Sequence, residues 1–316
     1  MIVSIKKILK TSIPLIFGAV LVWYSLSKIS INVLIGYFKE ANYEWIFLGL
    51  FFGILSHLSR AYRWKFMLDP LGFKPRFTNS VLAVLVGYLV NLAIPRAGEV
   101  SRAFVLTNYE QIPFEKGFGT IVAERIADLV MMLCIIIITL FVQFDFIYDL
   151  LTKNFDASKI SIGLIILIII CYILYFFVKK ATSGILLKIK TFVNGLVEGV
   201  TSIFRMKNKV AFIFHTIFIW VMYVAMFWAT IPAISGLEVP FGGVLIGFIA
   251  GGFSIAATNG GIGLYPIAVA GALALFDIPS DPATAFGWIM WTAQTAMIII
   301  FGGLAFLFLP IYNKHK

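Results

Sequence analysis

Apolar residues run along this chain in blocks too long for the alternation of a surface strand, and the polar positions between them fall in short groups. The blocks lie at about 11–27, 43–59, 80–94, 118–143, 160–178, 210–231, 241–258, 264–276 and 283–309. Several approach the roughly twenty residues that cross about 30 Å of hydrocarbon, whereas strands of a membrane barrel alternate over about ten. The pattern predicts an all-α polytopic membrane protein with about six full spans. Two blocks are shorter: 80–94 and 244–258 hold fifteen residues each. At 1.5 Å per residue that is about 22 Å of helix, short of a crossing. Each ends in a breaker, PRAGE at 95–99 and NGGIG at 259–263, and then resumes as a second apolar helix. These segments are expected to form two re-entrant helical hairpins, one from each side, in an inverted-repeat arrangement. Kinked full spans would satisfy the same parity.

Basic residues set the orientation. One side carries Lys6, Lys7 and Lys10, then Arg60, Arg63, Lys65, Lys74 and Arg76, then seven basic residues between Lys179 and Lys209, then Lys314 and Lys316; the other carries only Lys28, Lys39, Lys153 and Lys159 among many acids. The positive-inside rule places both termini in the cytoplasm; the cell (inner) membrane is the expected location. Composition agrees: 61% of residues are apolar and 13% charged, too few polar groups to cover a water-facing surface. The net charge of +10 therefore carries no nucleic-acid signal. Cys134 and Cys171 lie inside apolar runs and read as small hydrophobes. The chain is expected to be one transmembrane domain over 1–316, with halves at about 1–178 and 210–316. An amphipathic linker helix at about 182–205 joins them, where Ile185, Ile189, Phe192, Leu196, Val200 and Ile203 recur at helical spacing. Ile31 to Phe38 reads as a shorter counterpart on the outer side.

Charges inside a bilayer are costly unless they pair or line a wet cavity, and here they cluster. Arg96, Glu99 and Arg102 follow Pro95, and Glu124, Arg125 and Asp128 fall in VAERIADLV. Together the six sum to zero, so mutual ion pairing is the purely structural reading. Arg60 and Arg63 of SRAYRW end the second span, with Trp64 at interface level; an arginine fork suits a phosphate and a neutral network otherwise lacks an anion site. Pro95 suits a first helical turn, so the helix expected to begin near Arg96 would aim unpaired N–H groups inward; Asn259, Gly260, Gly261 and Gly263 could do the same from the other half. The histidines at 57, 215 and 315 are far apart, and no HExxH, nucleophile elbow or Walker loop occurs. Glu124 with Asp128 is a weak metal signal, and neither metal nor cofactor is expected.

SRAYRW, NLAIPRAGEVSRA, VAERIADL and TNGGIGLYP, in that order, resemble the transmembrane domain of lysylphosphatidylglycerol synthases. That flippase-like family also includes archaeal proteins of dolichol-linked glycosylation and many short bacterial members. The resemblance covers nearly the whole chain and implies a domain that moves a lipid between leaflets. The substrate-binding candidates are Arg60, Arg63, Asn91, Arg96, Glu99, Arg102, Glu124, Arg125, Asp128, Asn259, Gly260, Gly261, Gly263 and Tyr265, with Pro95, Gly98 and Pro266 as breakers. Members that make lipid carry a soluble aminoacyltransferase domain after the membrane part; the sequence stops at Lys316, and aminoacyl transfer is not expected. The second-half motif also departs from P-G-G-x-G-x-x-E, with Asn259 for the proline and Pro266 for the glutamate.

The expectation is a flippase-like protein, not an enzyme, that translocates an anionic phospholipid or a lipid-linked isoprenoid phosphate. Its partners would be lipids with anionic heads, not nucleic acid; a homo-oligomer or a cell-envelope enzyme partner is compatible. A membrane-embedded lipid-phosphate transferase and a scaffold for envelope enzymes are the competing classes.

Overall fold

The computed structural model describes residues 18–154 and 206–314, with scattered positions between 166 and 194. The expected span at 160–178 and the linker helix at 182–205 lie wholly or largely outside the described residues, as does the start of the block at 11–27. Every regular element among the described residues is helical: α1 (Gly18–Leu26), α2 (Ile31–Glu40), α3 (Tyr43–Leu68), α4 (Phe77–Ala93), α5 (Ala97–Glu110), α6 (Phe114–Val142), α7 (Phe144–Asn154), α8 (Lys209–Thr230), α9 (Phe241–Ala257), α10 (Leu264–Ala274) and α11 (Ser280–Tyr312). Four of them, α3, α6, α8 and α11, are long and apolar enough to cross a membrane; α1 and α2, bent by 83°, make a fifth if taken as one broken span.

The chain divides into two compact units, Met1–Glu124 with Val210–Lys316, and Arg125–Lys209. The first holds the main core. Phe227 of α8, Val269 and Leu273 of α10 and Phe286 and Ile289 of α11 are all at most 2% exposed and pack with Leu34 of α2. Local chemistry sets the ends of several helices. Asn42 Oδ1 accepts the Glu44 N–H at 3.0 Å and caps α3, while Pro240 and Pro279, at the N-caps of α9 and α11, are extended as a helix entry requires.

α3 runs nine residues past the end of its apolar block at 59. Trp64, expected at the membrane interface, is instead 0% exposed. The helix continues unbroken through Arg60 and Arg63, whose charges both have a partner in Glu124.

The two short helix pairs are built alike. α4 and α9 are each 17 residues long, and each carries a glycine ten residues after its first, Gly87 and Gly251. Both glycines receive a large side chain from the returning helix. A Cβ at Gly87 would fall 2.6 Å from Arg102 Cγ of α5, and one at Gly251 would fall 2.7 Å from Tyr265 Cε2 of α10. The second breaker also touches the first pair, because a Cβ on Gly260 would lie 2.8 Å from Leu92 Cδ2.

α11 closes over α4, with Gly302 beside the Leu85 carbonyl and Leu89. At the open end of the α4–α5 pair, Asn79 and Asn313 exchange amide hydrogen bonds at 3.0 and 2.9 Å. Arg76 Nε donates to Glu110 at 2.8 Å; Arg76 also donates to Asn313 and Asn79 to Glu110.

Candidate functional site

Three arginines from two helices converge on one carboxylate from a third. Arg60 and Arg63, a turn apart on α3, are 2% and 0% exposed; Arg102 of α5 is 3% and Glu124 of α6 is 0%. Arg102 donates Nη1 to Glu124 Oε1 at 3.1 Å and Nη2 to Oε2 at 3.0 Å, the two-pronged geometry that makes arginine selective for carboxylate and phosphate. Arg60 Nη1 donates to Oε1 at 2.5 Å, and Arg63 Nη2 stands 3.6 Å from the same oxygen.

Aromatic faces and hydroxyls hold the guanidiniums in place. The Arg102 guanidinium lies 4.3 Å over the Trp64 ring and that of Arg63 5.3 Å over Phe212. Trp64 Nε1 donates to Thr120 Oγ1 at 2.8 Å, and Arg63 Nη1 donates to Thr216 Oγ1 at 2.9 Å. Arg63 and Arg102 are thus each oriented by a second group.

The break before α5 has its own mechanics. Ile94 is extended (φ −133°, ψ 113°), as the residue before a proline must be, and Arg96 then takes a left-handed conformation (φ 62°) before α5 starts at Ala97. Asn91 Oδ1 accepts the Gly98 N–H at 2.7 Å, supplying from the end of α4 the cap that Arg96 does not supply. A Cβ on Gly98 would collide with the Gly87 carbonyl and the Asn91 amide, so only glycine fits there. The helix expected near Arg96 begins at Ala97, with Pro95 before the cap, and of its first N–H groups that of Gly98 is taken by Asn91. Asn91 and Gly98 serve the break itself.

Among the other candidates, Arg96 is exposed. Glu99 Oε2 accepts from Asn91 Nδ2 at 3.4 Å. In the other unit Arg125 Nη1 donates to Asp128 at 3.3 Å, with its side chain 40% exposed. Gly260, Gly261 and Gly263 all have positive φ (62°, 80° and 69°), and the Gly260 carbonyl accepts from Trp291 Nε1 at 2.8 Å. Asn259 is half-buried in that turn. Tyr265 is a core side chain, 3% exposed, with Gln294 Nε2 3.4 Å from its hydroxyl. Pro266 does not break a helix; it sits in the first turn of α10, where its missing N–H is harmless, and packs beneath Gly287.

Sequence reasoning missed the aromatic flank. Tyr88 and Tyr223 hydroxyls lie 3.2 Å apart, Arg60 Nη2 donates to Tyr223 at 3.4 Å, and the His57 ring lies 4.5 Å from that of Tyr88. A signal existed: His57 is one turn before Arg60, and Thr216 and Tyr223 are seven residues apart, hence on one face, in a largely apolar helix. Among the described residues, no three His, Cys, Asp or Glu side chains gather as metal ligands.

Residues 12–302 match the family described as the lysylphosphatidylglycerol synthase TM region. A UPF0104 membrane protein of Methanocaldococcus jannaschii is 33% identical over 125 residues, 39% of this chain and 37% of that protein. The glycosyltransferase AglD of Haloferax volcanii is 31% identical over 77 residues, 24% of this chain and 12% of that protein. The chain therefore spans well under half the length of these curated relatives. No solved structure matches it. With the helical architecture above and a match over most of its length, the chain is a multi-pass membrane protein and belongs to the lysylphosphatidylglycerol synthase transmembrane region family.

Proposed function

We propose that this protein translocates the anionic head of a phospholipid or isoprenoid-phosphate lipid across the cell membrane, and that Arg60, Arg63, Arg102 and Glu124 form the station where the head pauses. The carrying observation is the convergence of three buried guanidiniums on one carboxylate. Glu124 holds the place of an anion. A phosphate offers the same planar pair of oxygens to Arg102 and further oxygens to its neighbours, so head and carboxylate compete for one set of donors.

Depth favours this reading. Glu124 lies four residues from the midpoint of the 29-residue α6, about 6 Å along the axis. A charge set at that depth is expensive and is the usual mark of a substrate path. The α4–α5 and α9–α10 pairs are the two re-entrant hairpins, α4–α5 entering from the cytoplasm and α9–α10 from outside, and the matched Gly87 and Gly251 support an inverted repeat of halves at about 1–178 and 210–316. Both termini are cytoplasmic under this topology.

The purified protein reconstituted in vesicles tests it with fluorescent phosphatidylglycerol, whose head is quenched from one side only. Arg102→Gln and Glu124→Gln are expected to slow translocation by about tenfold or more, the equivalent of one charge-assisted hydrogen bond. Wild-type rates in both variants remove the arginine station from the mechanism. A transferase is the second reading, favoured by the Haloferax relative, a glycosyltransferase; lipid turnover by the purified protein would support it over transport.

A further inference from the structure

Beside the arginine station, α3, α4 and α11 enclose a slot of about 240 Å³ whose exposed lining is entirely apolar. Leu58, Val81, Leu85 and Phe301 wall it, and His57 and Tyr88 stand among them. Leu58 and Phe301 are 37% and 40% exposed, so the slot has a rim on the outer surface of the helices. Its volume falls below the roughly 300–1,000 Å³ of ordinary small-molecule pockets, and its lining gives water nothing to bond. A single flexible hydrocarbon chain fits both facts.

One polar atom lies buried just behind this apolar lining. His57 is 8% exposed, its Nδ1 is 3.5 Å from Ser56 Oγ, and its Nε2 is buried with no hydrogen-bond partner. Native structures rarely leave such a nitrogen unanswered. The same residues connect the slot to the charges: His57 is one turn before Arg60, and the Tyr88 hydroxyl meets that of Tyr223, which accepts from Arg60. One wall is therefore shared by an apolar channel and an anion station.

We propose that this slot takes one hydrocarbon chain of the lipid whose anionic head visits Arg102 and Glu124, and that the His57 ring turns its buried Nε2 to the oxygen that links chain to head. The slot gives the station its selectivity: a free anion lacks the chain, and a neutral lipid lacks the charge. The proposal rests on the headgroup reading above, so its test varies chain and head separately.

Full-length protein in phosphatidylcholine vesicles is irradiated with phosphatidic acid carrying a diazirine midway along one acyl chain, and adducts are mapped by mass spectrometry. Diacylglycerol with the same chain is the headless control. Adducts are expected at residues 54–58, 81–88 and 297–301, about tenfold more abundant with phosphatidic acid than with diacylglycerol. Val81→Trp and Ile298→Trp fill the slot from opposite helices. In each, adducts are expected to fall by about tenfold while the thermal unfolding midpoint holds, since excluding even two methylenes removes that much affinity. His57→Phe is expected to narrow the difference between the two probes, and His57→Gln to restore it. Adducts spread evenly over lipid-facing side chains such as Phe214 and Phe308 overturn the slot; if Arg102→Gln still blocks translocation in that case, the headgroup reading stands without it. Equal labelling by the two probes overturns the link between slot and head.

Discussion

A guanidinium buried among apolar helices is tolerated where its charge and its flat array of N–H groups are met, and Glu124 meets three of them at once. The neighbouring glycine makes this possible. Gly87 leaves room for the Arg102 stem to pass α4, and nothing larger than hydrogen fits there without moving Arg102. Gly87→Ala is therefore expected to lower stability by about 1–3 kcal/mol, the usual range for overpacking, and to slow translocation with it. Gly119→Ala, a helical glycine with open space around its position, is the control and is expected to be neutral or stabilising by up to about 1 kcal/mol. Thermal unfolding in detergent compares the two; equal midpoints would show that the close approach at Gly87 carries no energy.

At the scale of elements, the α4–α5 pair is held at both ends by side-chain amides. Asn91 caps α5 across the break, and the Asn79–Asn313 exchange ties the mouth of the pair to the end of α11. These bonds matter because helix ends leave carbonyl and N–H groups that cannot stay unmet away from water. Asn313→Ala removes one member of a buried network and is expected to cost about 1–3 kcal/mol. Hydrogen–deuterium exchange should rise over residues 305–312 and at the start of α4, while α9 stays protected. Unchanged exchange at both places would mean that apolar packing of α11 on α4 suffices. The left-handed Arg96 belongs to this scale too: proline fixes the residue before it, Asn91 fixes the helix after it, and Arg96 takes the strained geometry left between them.

At the scale of the molecule, re-entrant hairpins and full crossings put the ends of α4 and α5 on the same side, so only the break distinguishes them. With Cys134 and Cys171 replaced by Ser, Arg96→Cys is expected to resist an impermeant thiol reagent added outside, whereas Asp277→Cys reacts with it. Labelling of Arg96→Cys from outside would make α4 a full span and would displace the translocation path. Much of this architecture was legible in the order of residues. Block length and composition dictate a helical membrane protein, because a chain with 61% apolar residues cannot cover itself with polar groups and lipid leaves no partner for an unpaired backbone. The charges at 60, 63, 102 and 124 were legible as candidates for the same reason: an ionised side chain is too costly there to be idle. Their partners were not. One-dimensional spacing reports which residues share a helix face, as with His57 and Arg60, but Arg102 reaches Glu124 rather than Glu99 because two helices, pressed together at Gly87, aim it there. Only tertiary packing decided that, since a charge pair forms between whichever groups the close-packed helices bring within hydrogen-bond reach, whatever their separation along the chain.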